Sequence, residues 1–192
     1  MLDLLSWRRA VADLYATVRS LEPAEGHALW AAGRSALLRE SSQSPLLPGD
    51  PRHDGIPVAP YDPSFRVTAE LRAAPPASRV GEGGVPMDRI GVFDTPWGPL
   101  DAWWLTEYSG GLFVPVRDGS SGSTSYGGGR SLLDTAKGAD LGSSGGSVVL
   151  DLNFLYHPSC AYNAAWACPL APPGNALAVG IPVGELLLVP DS

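Results

Sequence analysis

The sequence predicts a mainly β protein of the α+β kind, an antiparallel β-sandwich or barrel preceded by an N-terminal helical hairpin. Three observations predict it. Apolar residues recur at steps of three and four near the start of the chain, they alternate with period two in short segments from Phe65 onward, and 23 glycines and 19 prolines punctuate the whole. Steps of three and four put side chains on one face of a helix, whereas alternation puts them on one face of a sheet. Abundant Gly and Pro favour short elements joined by turns. A chain of 192 residues suits one structural unit with a full core, here an N-terminal helical arm (1–40) and a β-rich part (41–192).

The elements follow in order. Leu4, Trp7, Val11, Leu14, Val18 and Leu21 form the apolar stripe of a first helix. Asp3 is its expected N-cap, and Glu22-Pro23 ends it, because proline does not continue a helix readily. A second helix is expected from about Ala24 to Arg39, with Leu29, Trp30, Gly33 and Leu37 facing inward. The stripe docks either on the rest of the chain or on a second copy, so a homodimer through these helices is one expected partnership. Ser41–Pro63 is rich in proline and reads as an irregular crossover. Strands are expected at Phe65–Leu71, Arg89–Phe93, Leu100–Tyr108, Leu112–Arg117, Ser147–Leu152 and Leu186–Val189, with Gly110-Gly111 as a hairpin turn. Trp103 and Trp104 then point to opposite faces. Asp118–Ser125 and Gly142–Gly146 read as loops.

Composition narrows the function classes. The net charge is −7 and Lys137 is the sole lysine, so the clustered cations that phosphate backbones require are missing and no nucleic acid is expected. The N-terminus lacks the uninterrupted apolar stretch of a secretory signal, and no run approaches the roughly 20 apolar residues of a membrane span. No membrane association is expected, the predicted compartment is the cytoplasm, and its cysteines should be reduced.

Side chains that carry chemistry concentrate between Asp151 and Asn175, a proline-punctuated stretch with both cysteines, His157, Tyr156, Tyr162 and Trp166. Loops held by a rigid sheet are where sites usually form. His157, Cys160 and Cys168 are ligand types that suit zinc, but their spacing forms no recognised close pair; no metal and no cofactor are expected. Cys160 and Cys168 are near enough in sequence to form a disulfide, which would contribute roughly 2.5 kcal/mol in the chain-entropy picture. His157 near Cys160 would otherwise favour a thiolate nucleophile, and packing of both thiols as small hydrophobes is the plainer alternative. A second constellation is Ser125-Tyr126-Gly-Gly-Gly129-Arg130, where glycines permit close backbone approach. It lacks the Lys-Ser/Thr ending of a phosphate loop. Arg130 either grips a ligand's carboxylate or phosphate or pairs structurally with Asp118 or Asp151.

The blocks Gln43-Ser-Pro-Leu46, Tyr61-Asp-Pro63, Tyr126-Gly-Gly-Gly-Arg130, Asp151-Leu-Asn153, His157-Pro-Ser-Cys-Ala-Tyr162, Cys168-Pro-Leu-Ala-Pro-Pro-Gly-Asn175 and Gly184-Glu185 resemble, in that order, the domain-of-unknown-function family DUF1684. The resemblance runs from about Trp7 to Glu185 and implies a bacterial or archaeal family without an established activity. It places Tyr126, Arg130, Asp151, Asn153, Cys160, Tyr162, Cys168, Asn175 and Glu185 on family motif positions. Leu152 stands where the family usually has Phe, and His157 where many members have Asn.

Together these readings give ten ligand-binding candidates: Tyr126, Arg130, Asp151, Asn153, His157, Cys160, Tyr162, Cys168, Asn175 and Glu185. The first expectation is a small-molecule-binding β-domain, its enzymatic role left open. Trp103 or Trp104, Tyr126, Tyr156 and Tyr162 would line its pocket, and Arg130 and Asn153 would fix a polar head group. The alternatives are a structural or protein-interaction domain that uses the N-terminal helices, and a thiol- or metal-dependent enzyme.

Overall fold

Helix α1 (Leu2–Val18) and helix α2 (Pro23–Glu40) form an antiparallel pair in the computed structural model, which describes residues 2–107 and 110–188. Asp3 lies in the first turn of α1 rather than capping it. Pro23 opens α2, where a missing backbone N–H costs nothing because first-turn amides have no intrahelical partner. The two helices approach closely at Gly33, where an added Cβ would stand 2.7 Å from Leu14 Cδ1. Of the residues expected to face inward, Trp30 is fully buried and Leu29 is exposed; Tyr15 and Leu38 take buried places instead.

Eight strands follow: β1 (Arg66–Arg72), β2 (Ala77–Val80), β3 (Pro86–Thr95), β4 (Gly98–Leu105), β5 (Leu112–Val116), β6 (Arg130–Asp134), β7 (Ser143–Ser144) and β8 (Ser147–Asp151). They form one antiparallel sheet in the order β6-β5-β4-β3-β1-β8-β7, with β2 added on β3. β1 changes partner along its length: Arg66–Glu70 pair with β8, and Leu71 and Arg72 pair with β3. That change curls the sheet into a half-barrel. Its two flanks meet where the segment after β8 returns to β6, through Ser131 N–H to Tyr156 O at 2.8 Å and Tyr156 N–H to Ser131 O at 3.1 Å. The interior holds Phe93, Leu100, Val114, Leu133, Leu150 and Ile181. Trp103 and Trp104 point to opposite faces of β4, as alternation along a strand gives, and are 3% and 43% exposed.

The predicted fold class is the observed one, with local corrections. β2, β6 and β7 were not expected. Every residue of β6 is buried, so it carries no alternation to read. Leu186–Leu188 form no strand; their backbone bonds go singly to Pro57 O (from Leu186) and Thr124 O (from Leu187). Val189 and Tyr108, placed in strands by the sequence reading, lie outside the described residues. No helix among the described residues is long and apolar enough to cross a membrane.

The helical pair packs across the segment that follows β8. Trp30 sits with its ring centroid 5.1 Å from that of Phe154 and donates its indole N–H to Tyr15 OH at 3.0 Å. His27 meets the Asn153 carbonyl at 3.1 Å. Tyr15, Val18, Trp30, Leu141, Phe154 and Tyr156 make one apolar cluster at this junction. It differs from the core inside the half-barrel, and the junction is where a cavity opens.

Candidate functional site

The cavity lies between α1, α2 and the stretch Tyr156–Trp166 and has a volume of about 320 Å³. Its walls are Leu4, Trp7, Val11 and Leu14 from α1, Trp30, Leu37 and Leu38 from α2, and Tyr156, Tyr162 and Trp166 from the facing segment. Three cations line it, Arg8, Arg34 and Lys137; among the described residues no Asp or Glu does. In a chain with 20 acidic residues against 13 basic ones, that distribution is unusual.

Arg34 anchors the polar side of the cavity. It forms a two-pronged pair with Glu185, Nε to Oε1 and Nη2 to Oε2, and Nη2 also donates to His157 O at 3.0 Å and Tyr162 OH at 3.3 Å. Its guanidinium carbon stands 4.5 Å above the centre of the Tyr156 ring. Nη1 has no hydrogen bond among the described residues and is not among the fully buried unpaired atoms. It is thus a not fully buried donor on a side chain that is 16% exposed and lines the cavity.

Glu185 lies fully buried behind Arg34. Its Oε2 accepts from His157 N–H at 2.6 Å and Tyr162 OH at 2.8 Å. Burial pushes its carboxyl up, but Arg34, the hydrogen bonds and His157 outweigh that and hold it below the usual range. Burial pulls Arg34 down, and the attraction of Glu185 and the neighbouring tyrosines more than reverses it. Burial followed by Glu185 raises the Tyr162 phenol. Gly184 permits the arrangement: it takes φ +83°, and an added Cβ would stand 2.7 Å from Leu155 O.

His157 contributes structure rather than a titrating group at neutral pH. Its Nε2 accepts the Tyr126 amide at 3.2 Å, which places the proton of the neutral ring on Nδ1. Burial lowers it from 6.5 to about 4; Glu185 pushes the other way, and nearby arginines add to the fall.

The ten sequence candidates fall into five groups. His157 and Tyr162 line the cavity, and Glu185 holds Arg34 from behind. Arg130 lies elsewhere, fully buried, with Nη2 on Asp118 at 2.9 Å and on Ile181 O at 2.9 Å, and Nη1 on Val183 O at 2.6 Å and Glu185 O at 3.1 Å. Desolvation lowers its pKa despite Asp118. Asp151 and Asn153 tie down the Tyr61-Asp62-Pro63 turn. Asn153 exchanges hydrogen bonds with the Asp62 backbone at 2.8 Å each, and Asp151 pairs with Arg66 at 2.9 Å. Asn175 accepts the Trp103 indole N–H at 2.8 Å and donates to Asp101 O at 2.8 Å.

Tyr126, Cys160 and Cys168 make the last group, beside the cavity but not lining it. Both cysteines are free thiols, with the Cys160 amide 3.4 Å from Cys168 Sγ and the Tyr126 hydroxyl 3.9 Å from Cys160 Sγ. Burial, then Cys168, pushes the Cys160 thiol up to about 11, the reverse of an activated thiolate. No cluster of three or more His, Cys, Asp or Glu arranged for a metal occurs among the described residues.

Sequence reasoning missed Arg34, Arg8 and Tyr15. Arg34 carried a readable signal. It lies four residues after Trp30 and four before Leu38, so it is a charge within the apolar face of α2.

Comparison with known proteins bears on the family and the fold. The solution NMR structure of an uncharacterised protein of Haloarcula marismortui is 31% identical, with a TM-score of 0.58 over 82% of this chain and 90% of that one. No curated protein matches the chain. The profile described as "Protein of unknown function (DUF1684)" matches residues 52–186, most of the length, and the chain belongs to that family.

Proposed function

We propose that the protein binds a small, largely apolar molecule between its helical pair and the Tyr156–Trp166 segment. The observation that carries this reading is the cavity itself. Its volume of about 320 Å³ falls at the lower end of the roughly 300–1,000 Å³ of small-molecule pockets, and aromatic and aliphatic walls with a few polar groups are their usual lining. A core would close such a space, because unfilled apolar volume destabilises a fold by about 24 cal/mol per Å³. Trp7, Trp30 and Trp166 line it, so occupancy should change intrinsic fluorescence.

The neutral dye N-phenyl-1-naphthylamine tests the reading. Saturable binding of one dye per chain is expected, and Val11→Trp and Leu37→Trp, each filling the cavity from a different helix, should abolish it while leaving the circular dichroism unchanged. Wild-type binding by both folded variants would sink the proposal.

A second reading makes the helical pair a protein-interaction face. Leu2 is 78% exposed, and Leu4, Leu5 and Leu29 are 42%, 44% and 38% exposed, apolar side chains of the kind that interaction faces present. Light scattering of the full chain across concentration tests it: a monomer throughout, unaffected by Leu2→Glu/Leu5→Glu, speaks against self-association.

A further inference from the structure

We propose that the molecule in this cavity is an amphipathic carboxylate, its apolar body between α1 and α2 and its anionic head on Nη1 of Arg34. The inference rests on the cavity being a binding site and adds the class of its ligand. Three independent features support it.

The first is the arrangement of the polar wall. Arg34 turns Nε and Nη2 toward Glu185, His157 O and Tyr162, which fixes the plane of the guanidinium and leaves Nη1 as a pre-positioned donor. A donor held by bonds on its far side loses little rotational freedom when a ligand arrives. Hydrogen bonds from a cation to a carboxylate are the stronger kind.

The second is the ordering of charges by depth. Arg34 and Glu185 cancel in sum, as do Lys137 and Asp134, which meet at 2.7 Å. Yet Glu185 and Asp134 are buried at 0% and 2% exposure, and neither lines the cavity, while both cations do. At contact distance a ligand meets N–H donors, with the carboxylates a side chain farther away. Coulomb energy falls with separation, so the nearer positive groups decide the sign of the preferred head group.

The third is Arg8. It lines the cavity from α1, is exposed, and enters no ion pair among the described residues. It leaves the rim with one net positive charge in a protein whose total is −7. A cationic ligand would meet three cations there. A neutral hydroxyl would offer the Arg34 donor only a weaker acceptor than a carboxylate, and a ligand with no acceptor would leave that donor unpaired once water is displaced.

Three eight-carbon probes of matched shape separate the possibilities: octanoate, 1-octanol and octylamine, titrated into the full chain at pH 7 with tryptophan fluorescence as the readout. Octanoate should bind about tenfold or more tightly than 1-octanol, the margin of one charge-assisted hydrogen bond, and octylamine should bind most weakly. Arg8→Gln should weaken octanoate by about threefold, as expected for a partly screened charge, and leave 1-octanol unchanged. Arg34→Lys keeps a cation opposite Glu185 but removes the fork, so it should bring octanoate and 1-octanol toward equal affinity; if it does not fold, Arg8→Gln carries the test. Equal binding of octanoate and 1-octanol by the wild type, or tightest binding of octylamine, overturns the carboxylate assignment and leaves an apolar binding cavity standing. Failure of all three probes together with the neutral dye removes the cavity reading and this inference with it.

Discussion

Two arginine–carboxylate pairs with fully buried carboxylates, Arg130–Asp118 and Arg34–Glu185, differ in what they leave unused. Arg130 and Asp118 are sealed: both side chains are 0% exposed, and Arg130 gives four hydrogen bonds from Nη1 and Nη2 to a carboxylate and three carbonyls. Only its Nε lacks a partner, and that atom is fully buried. Arg34 and Glu185 are sealed on one side only, with the carboxylate at 0% exposure and the arginine side chain at 16%. The first arrangement ties the backbone of 181–185 to β6 and has nothing to offer a ligand. The second uses the same chemistry to hold a donor at the wall of a cavity. Counting buried charges would rank them alike; only the accounting of individual N–H groups tells them apart.

The sharpest way to break that comparison is to remove Arg130. Arg130→Leu strands Asp118 without its cation and frees three backbone acceptors, so the loss in urea-unfolding stability should be about 3–5 kcal/mol. Any fraction that remains folded should bind octanoate as the wild type does. Weakened octanoate binding in that folded fraction would mean the two arrangements are not independent.

Glu185→Gln is the matching change on the open side. An amide still accepts one hydrogen bond and water reaches Arg34 through the cavity, so the expected loss is smaller, about 2–3 kcal/mol by the same denaturant measurement. Octanoate affinity should rise, because the competing anion is gone. A fall would show that the hold of Glu185 on the guanidinium plane outweighs its opposing charge, and an unchanged affinity would show that Arg34 does not face the ligand.

The His157 environment gives a pH signature to the open side. Its folded pKa of about 4 lies below the unfolded 6.5, so the unfolded chain binds the proton more readily. This contribution is complete above about pH 6.5 and fades as pH falls toward 4. Between pH 7 and pH 5 the wild type should lose about 2 kcal/mol more than His157→Asn. His27, whose pKa burial also lowers, leaves the variant with a residual slope. Identical slopes in wild type and variant would show that His157 is not sealed from water.

Arg8→Gln should have the smallest effect on the fold, within about 0.5 kcal/mol, as for other exposed positions, while still reducing octanoate affinity. Stability and binding would then separate cleanly at one residue.

Legibility in the sequence followed the same division. Elements with one solvated face could be read, β1 through alternation and α1 and α2 through their stripes; β4, buried on both faces at Leu100–Trp103, was read from its apolar and aromatic residues. β6, with both faces covered, showed a short apolar run behind three glycines and resembled the end of a loop. Leu186–Leu188 showed the opposite error, since an apolar run without a paired neighbour is not a strand. At the site, Tyr162, His157 and Glu185 lay on recognisable motifs. The cation they surround did not, because Arg34 lies in a helix 151 residues before its carboxylate and no local pattern reports so distant a pairing. Arg130 attracted a binding role because it follows flexible glycines, and only depth within the fold reveals its full set of partners.

That 151-residue separation also orders events during synthesis. When α2 leaves the ribosome, its arginine has no counter-ion, and it keeps none while the whole sheet is being made. Contacts that close so long a loop form late and slowly. Docking of the Val183–Glu185 stretch therefore does two things at once: it seats Val183 in the half-barrel core and brings Glu185 to Arg34, completing the polar wall of the cavity last.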